Sequence, residues 1–286
     1  MSILVTGARG MLGFDLCNLL RTQGHQVVEW DLPERDVSDV TPTITEVKRL
    51  KPKTIFHLAA YTDVDGAEQH RADAYRINTM GTWTMAIAAR DSGAELVFIS
   101  TDYVFDGAKR APYLENDKPN PLNYYGTTKL LGEQAVEKDV RRHYICRTSW
   151  LYGRHGRSFV DTIIGLAREK DCLEVVGDQQ GSPTYTRDLA SALTLLIGSK
   201  RYGTYHVSNS ETCTWYQFAQ EIVRQAGLGV QVRSTTSNQS VRPARRPGFS
   251  VLDNGLFQTQ FGHTLRPWNE ALRDYLKERG LLKAAG

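Results

Sequence analysis

The opening stretch, Ile3 to Gly13, restricts the fold more than any other part of the chain. Ile3-Leu-Val-Thr6 is a short apolar run rich in β-formers, Gly7 ends it, and glycine returns at Gly10 and Gly13. A helical pattern follows through Leu16, Leu19 and Leu20 to Gly24. A strand that turns through glycines straight into a helix is the opening unit of a parallel α/β sheet. The same unit can bind a dinucleotide. Glycines let the backbone turn tightly and approach a pyrophosphate, and the helix N-terminus offers free N–H groups and the positive end of its dipole. The spacing G-x-x-G-x-x-G is a variant of G-x-G-x-x-G and a plain strand-to-helix turn could share it. Its position directly after an apolar strand favours cofactor binding.

Strands and helices then alternate. Gln26–Trp30, Thr54–Leu58, Glu95–Ser100 and His143–Arg147 read as further strands, with a long helix around Ala74–Ala89 and another from Tyr125. The alternation predicts a Rossmann-like, doubly wound parallel sheet with right-handed crossovers. Helical periods at Phe159–Glu169, Arg187–Ile197, Thr214–Ala226 and about Pro267–Arg279, with a short extended Leu173–Val176, predict a smaller C-terminal α/β substrate domain. The expected division is 1–150 with a return segment at about 180–208 for the dinucleotide-binding domain, and 151–179 with 209–286 for the substrate domain.

Composition excludes several classes. With 41% hydrophobic and 23% charged residues, a chain of 286 residues is an ordinary globular one with ample core. A net charge of +3 is too small to argue for nucleic acid or a membrane surface as partner. No apolar run approaches spanning length, and the N-terminus lacks the basic region of a signal peptide. Cys17, Cys146, Cys172 and Cys213 lie far apart without CxxC, so they are expected to be reduced thiols of a cytoplasmic protein.

The residues that carry chemistry sit at predicted strand ends. Asp31 follows the second strand, where an acid holds the adenosine ribose hydroxyls and favours NADH. Arg9 in the glycine turn and Arg35 beyond that strand could each pair with a 2′-phosphate or be solvated, so the cofactor stays open between NADPH and NADH, tilted to NADPH. Ala59-Ala60 leave room at the end of the third strand, and the Ser100-Thr101 hydroxyls face the same crevice, followed at once by Asp102 and Tyr103. Tyr125 and Lys129, four apart, share one face of a helix. An ammonium beside a phenol lowers its pKa from about 10, giving a proton donor usable near neutral pH. Tyr-x-x-x-Lys is common on exposed helices, and its weight here comes from its place. Asn78 is expected to be a structural hydrogen-bonder rather than part of a proton relay. With a nicotinamide in the crevice, Thr101 would hold a substrate carbonyl, Tyr125 would protonate it, and Lys129 would bind the nicotinamide ribose. Arg242, Arg245 and Arg246 lie in a proline-stiffened loop after a polar linker, either a solvated turn or a diphosphate clamp.

These motifs together resemble the dTDP-4-dehydrorhamnose reductase family of the extended short-chain dehydrogenase/reductases, nearly end to end. The likeness runs through Thr6-Gly-Ala-Arg-Gly-Met-Leu-Gly13, Ala59-Ala-Tyr-Thr-Asp-Val-Asp65, Ser100-Thr-Asp-Tyr-Val-Phe-Asp-Gly107, Pro121-Leu-Asn-Tyr-Tyr-Gly-Thr-Thr-Lys129, Arg147-Thr-Ser-Trp-Leu-Tyr-Gly153 and Arg246-Pro-Gly-Phe-Ser-Val-Leu-Asp253. The resemblance implies NADPH- or NADH-dependent reduction of the C4 ketone of dTDP-4-dehydro-β-L-rhamnose. It implies Thr101, Tyr125 and Lys129 as the catalytic trio. Gly7, Gly10, Met11, Leu12, Asp36, Val37, Ala59 and Ala60 match cofactor-contacting positions, with Gly13 and Tyr61 beside them. Thr62, Val64, Asp102, Tyr103 and Trp150 match the sugar-nucleotide side, where Arg242, Arg245 or Arg246 would meet the diphosphate, Arg242 and Arg246 being the named candidates. Some relatives bind Mg²⁺ through a glutamate just after Gly-Ser-Pro-Thr184. Here Tyr185-Thr-Arg-Asp188 lacks one, so no metal is expected, and the chain is expected to be a monomer or weak homodimer. A 4,6-dehydratase would need Asp-Glu after the threonine, where this chain has Asp102-Tyr103. An epimerase, or a non-catalytic regulatory subunit of the methionine adenosyltransferase type, remains as the alternative.

Overall fold

The computed structural model of the chain describes residues 1–239 and 242–283, so Ser240 of the polar linker lies outside them. In order come β1 (Ser2–Thr6), α1 (Met11–Thr22), β2 (Gln26–Trp30), α2 (Val40–Leu50), β3 (Thr54–His57), α3 (Val64–Gln69) and α4 (Arg71–Tyr75). After a π-helical turn, Arg76–Gly81, come α5 (Thr82–Ser92), β4 (Glu95–Thr101), α6 (Tyr124–Asp139) and β5 (His143–Thr148). A strand at Gly203–His206 completes a six-stranded sheet in the order Gly203–His206, β5, β4, β3, β1, β2. Every pairing in it is parallel.

The inner strands are apolar on both faces, which is what a sheet covered by helices on each side requires. Successive residues point to opposite faces. Ile3, Val5, Phe56, Val97 and Tyr144 pack under α1 and the helix Thr186–Thr194, whereas Leu4, Ile55, Leu96 and Phe98 pack under α5 and α6. The return of the chain through Thr186–Thr194 thus fills one face, with Leu189 and Leu193 fully buried against it. A second core gathers Tyr152, Ile163, Ile164, Phe218, Ile222, Leu272 and Tyr275 beside a parallel pair, Cys172–Val176 with Gln231–Thr235. Its helix Trp215–Ala226 begins with a Thr214/Gln217 capping box and ends at Gly227, whose φ of +65° suits glycine.

One expected element is divided. The helix read over Ala74–Ala89 is α4 and α5 joined by the π turn, which carries Asn78 into the interior. The four cysteines are unpaired. No helix among the described residues is long and apolar enough to cross a membrane.

Candidate active site

A cleft of about 610 Å³ opens at the carboxyl ends of β1 to β5, where doubly wound sheets bind ligands. The glycine turn forms one wall. Gly7 has φ +66°, and a Cβ there would stand 2.7 Å from the Ala59 nitrogen. A Cβ on Gly13 would stand 2.1 Å from the Gly7 carbonyl oxygen. Any side chain at either place would break the turn. Gly10 precedes α1 with no side-chain cap, so the N–H groups of the first helical turn face the cleft without a protein acceptor from that cap. Met11, Leu12, Asp36, Val37, Ala59 and Ala60 line the same space. Tyr61 does not. Its backbone N–H donates to Asn78 Oδ1 at 2.8 Å and its carbonyl accepts from Asn78 Nδ2 at 3.1 Å. Asn78 also donates to Thr128 Oγ1, so its amide is fully engaged in holding the end of β3 to α6.

At the far end of the cleft Asp31 accepts from the backbone N–H groups of Arg9 (2.7 Å) and Leu32 (2.8 Å). The Arg9 guanidinium turns away, to Glu34 and the Leu32 carbonyl, and borders an adjoining cleft rather than the main one. Arg35 lines both, standing 5.9 Å from the Trp30 ring centroid.

Thr101 ends β4, paired in register with Thr148 of β5, and the 3₁₀ turn Asp102–Val104 follows directly. The start of α6 is seated against this turn. Asn123 caps it by accepting from the Gly126 N–H at 2.8 Å, and Glu68 accepts from the Tyr124 N–H at 2.7 Å. A Cβ on Gly126 would lie 2.2 Å from the Tyr103 carbonyl oxygen, so glycine is what lets helix and turn touch. Tyr125 therefore meets Tyr103 edge to face, ring centroids 6.2 Å apart, and lines the cleft with Thr101, Asp102 and Lys129.

The electrostatics depart from the expectation. Burial pushes the Tyr125 phenol up, the Asp102 charge adds to this, and the Thr101 hydroxyl opposes it. Lys129 does not hold the phenol down. Its Nζ donates to the Ile99 carbonyl at 2.7 Å and lies 4.1 Å from the Phe98 centroid. Burial brings the ammonium down to about 7, with Glu133 opposing. A lysine four residues on shares the helix face, but its long stem ends at a β4 carbonyl. Burial likewise raises the Asp102 carboxyl to about 7, against the pull of Ser250 and Thr101. Three buried polar atoms in this region, Ser100 Oγ, Asp102 Oδ2 and Thr148 Oγ1, have no partner among the described residues. Residues bearing all three line the cleft. A glycine cradle, uncapped helix N–H groups and unpartnered hydroxyls fit a nicotinamide dinucleotide.

Thr62, Val64, Ser149 and Trp150 also line the cleft, together with Arg157 and Trp215, which no motif marks. Trp150 has φ +49°, and its indole stacks on Trp215 with centroids 3.6 Å apart and planes 8° from parallel. Trp215 reads from the sequence as one more apolar residue on a helix face, although a tryptophan in the first turn, at the open end of its helix, is the available signal. Arg242 and Arg246 do not line the cleft. Both turn to Asp65, Arg246 with two bonds of 3.0 and 2.9 Å and Arg242 at 3.3 Å. Asn123 fixes the same loop through the Arg245 carbonyl. Among the described residues no cluster of three or more His, Cys, Asp or Glu could hold a metal ion.

Comparison with known proteins shows the family. A family model described as RmlD substrate binding domain matches residues 1–280. The spore coat polysaccharide biosynthesis protein SpsK of Bacillus subtilis is 41% identical over 97% of each chain. A dTDP-4-dehydrorhamnose reductase of Clostridium acetobutylicum superposes with a TM-score of 0.96 at 41% identity, over 98% of this chain and 100% of that one. The dTDP-4-dehydrorhamnose reductase of Bacillus anthracis, solved in complex with NADP, has a TM-score of 0.94 at 38% identity, over 97% of this chain and 99% of that one.

Proposed function

Because the chain belongs to the RmlD substrate-binding-domain family, we propose that it reduces the C4 ketone of a dTDP-4-keto-6-deoxy sugar, dTDP-4-dehydro-β-L-rhamnose being the expected one, with NADPH or NADH. The observation that carries this is the meeting of Thr101, Tyr125 and Lys129, from β4 and α6, in one cleft with the glycine turn.

The cofactor would lie along Gly7, Gly10 to Gly13, Asp31, Asp36, Val37 and Ala59-Ala60, and when bound it supplies the hydride. The chain's own residues do the rest. Tyr125 holds the proton that the ketone oxygen needs as charge develops on it. A phenol kept above its ordinary pKa stays protonated until that moment. Thr101 supplies a hydroxyl at the end of β4 to orient the carbonyl. Lys129, with its ammonium already down to about 7, has a proton that it can pass on or hold beside the nicotinamide ribose. Trp150, Thr62 and Val64 wall the sugar, Trp150 from beside the second core, Thr62 from the segment between β3 and α3, and Val64 from the start of α3.

A coupled assay tests the reading: a dTDP-4-keto-6-deoxy sugar made in situ, with NADPH absorbance followed. Oxidation that depends on both protein and keto-sugar supports it. No oxidation, with the keto-sugar verified in the cuvette, contradicts it.

A further inference from the structure

We propose that Arg157 is the side-chain cation for a diphosphate held in this cleft. The proposal rests on the reductase reading, whose two ligands, the dinucleotide and the nucleotide sugar, each carry one.

The α1 N-terminus can hold one of these anions with backbone N–H groups alone, and it brings no full positive charge. The charged side chains in the cleft wall are Asp31, Asp36 and Asp102 against Arg35, Lys129 and Arg157. Asp36 is paired with Arg76 at 2.7 Å. Lys129 is turned to a backbone carbonyl, and Arg35 stands over Trp30 at the adenosine end. Arg242 and Arg246, the residues first expected to meet a diphosphate, are occupied by Asp65. Near Arg157, Arg154 reaches Glu278 at 3.8 Å, whereas Arg157 makes no ion pair among the described residues. Like Arg35 at the other end, it lines the cleft without an acid partner among the described residues, and it shares that lining with Met11, Trp150 and Trp215.

The loop that carries Arg157 is fixed in place. It joins Leu151–Tyr152 to the helix Phe159–Ala167. Its exit is set by the Ser158/Asp161 capping box. Gly156, at φ +121°, lies so near α1 that a Cβ would stand 2.9 Å from Met11 Cγ. The His155 ring packs on Phe14 of α1 with centroids 3.4 Å apart. A guanidinium fork carried on a loop that packs against α1 can match a diphosphate's oxygens two at a time, which an ammonium does not.

The test is titration calorimetry of the wild-type chain, Arg157→Gln and Arg157→Lys with two probes, NADP⁺ and dTDP. The expected result is a Kd about ten-fold weaker for one probe in Arg157→Gln, equivalent to ~1.4 kcal/mol, with partial recovery in Arg157→Lys and an unchanged melting temperature. Weaker NADP⁺ binding identifies the cofactor's diphosphate, and weaker dTDP binding identifies that of the nucleotide sugar. If wild type binds both probes and Arg157→Gln binds each within two-fold of it, the proposal is wrong while the reductase reading stands. Wild type binding neither probe overturns the reductase reading, and this proposal with it.

Discussion

Replacing Glu133 by Gln removes one charge from the ion pair that fastens α6 to the sheet. Glu133 lies one turn beyond Lys129 on α6, and both its oxygens accept from Arg147 of β5, at 2.9 and 2.7 Å. The side chains are 2% and 5% exposed. Glutamine keeps the volume and one acceptor, so the loss is charge rather than packing. Arg147 is left with the Glu115 carbonyl (3.2 Å), the His206 ring and the Phe105 face, and the Glu115 carboxylate, beyond ion-pair distance, as its remaining acidic neighbour. Stripping one partner from a buried pair costs about 3–5 kcal/mol, because the other charge stays buried without compensation. At a urea slope of about 3 kcal/mol per molar, the midpoint should fall by roughly 1–2 M. Glu133 also supports the Lys129 ammonium, so its loss should move Lys129 further below about 7 and lower turnover near neutral pH. Urea melts monitored by far-UV circular dichroism give the first number, and a pH–rate profile gives the second. A double variant, Glu133→Leu with Arg147→Met, should recover most of the stability, since the pair then leaves no orphan charge. A loss below about 1 kcal/mol in Glu133→Gln would refute the reasoning.

Two further predictions use the charged residues of the cleft. Burial gives the Asp102 carboxyl a folded-state pKa of about 7, above its ordinary 3.8, so between those values the folded chain keeps a proton that the unfolded chain releases. Asp102 therefore makes stability fall as pH rises from about 4 to about 7; Asp102→Asn should flatten that slope by a few kcal/mol in melts across the range, and an unaltered slope would remove Asp102 as its source. Both Asp31 oxygens are already engaged by backbone N–H groups while Arg35 has no acid partner among the described residues, so Arg35→Ala should weaken NADPH several-fold more than NADH in binding titrations. Equal losses for the two cofactors would contradict a 2′-phosphate role.

Much of the site was legible because it depends on backbone demands that residues announce locally. A turn that admits no Cβ at Gly7 or Gly13 must be written in glycine. Strands buried on both faces must be apolar runs, and their ends fall where the runs stop. The Asn123 cap is visible as a turn residue ahead of a helical pattern. What was not legible depends on partners distant in the chain. Gly203–His206 is four residues without an apolar run, and only its pairing with β5 makes it a strand. Val40–Leu50 contains Pro42 and several β-branched residues, poor helix formers held by packing on α5. Arg246 meets Asp65 across 181 positions of sequence, so loop composition alone left a clamp and a solvated turn equally open and did not reveal the anchor that the loop is. The i, i+4 spacing placed Lys129 beside Tyr125, and could not say that Nζ would reach Ile99 instead of the phenol.

The central claim is that the Tyr125 phenol protonates the reduced ketone. Turnover of Tyr125→Phe on a dTDP-4-keto-6-deoxy sugar, measured beside its NADPH dissociation constant, tests this most directly. A general acid contributes about 10²–10⁴ in rate, so the variant should lose at least two orders of magnitude in kcat with NADPH binding within a few-fold of wild type. Wild-type turnover in Tyr125→Phe would contradict the account.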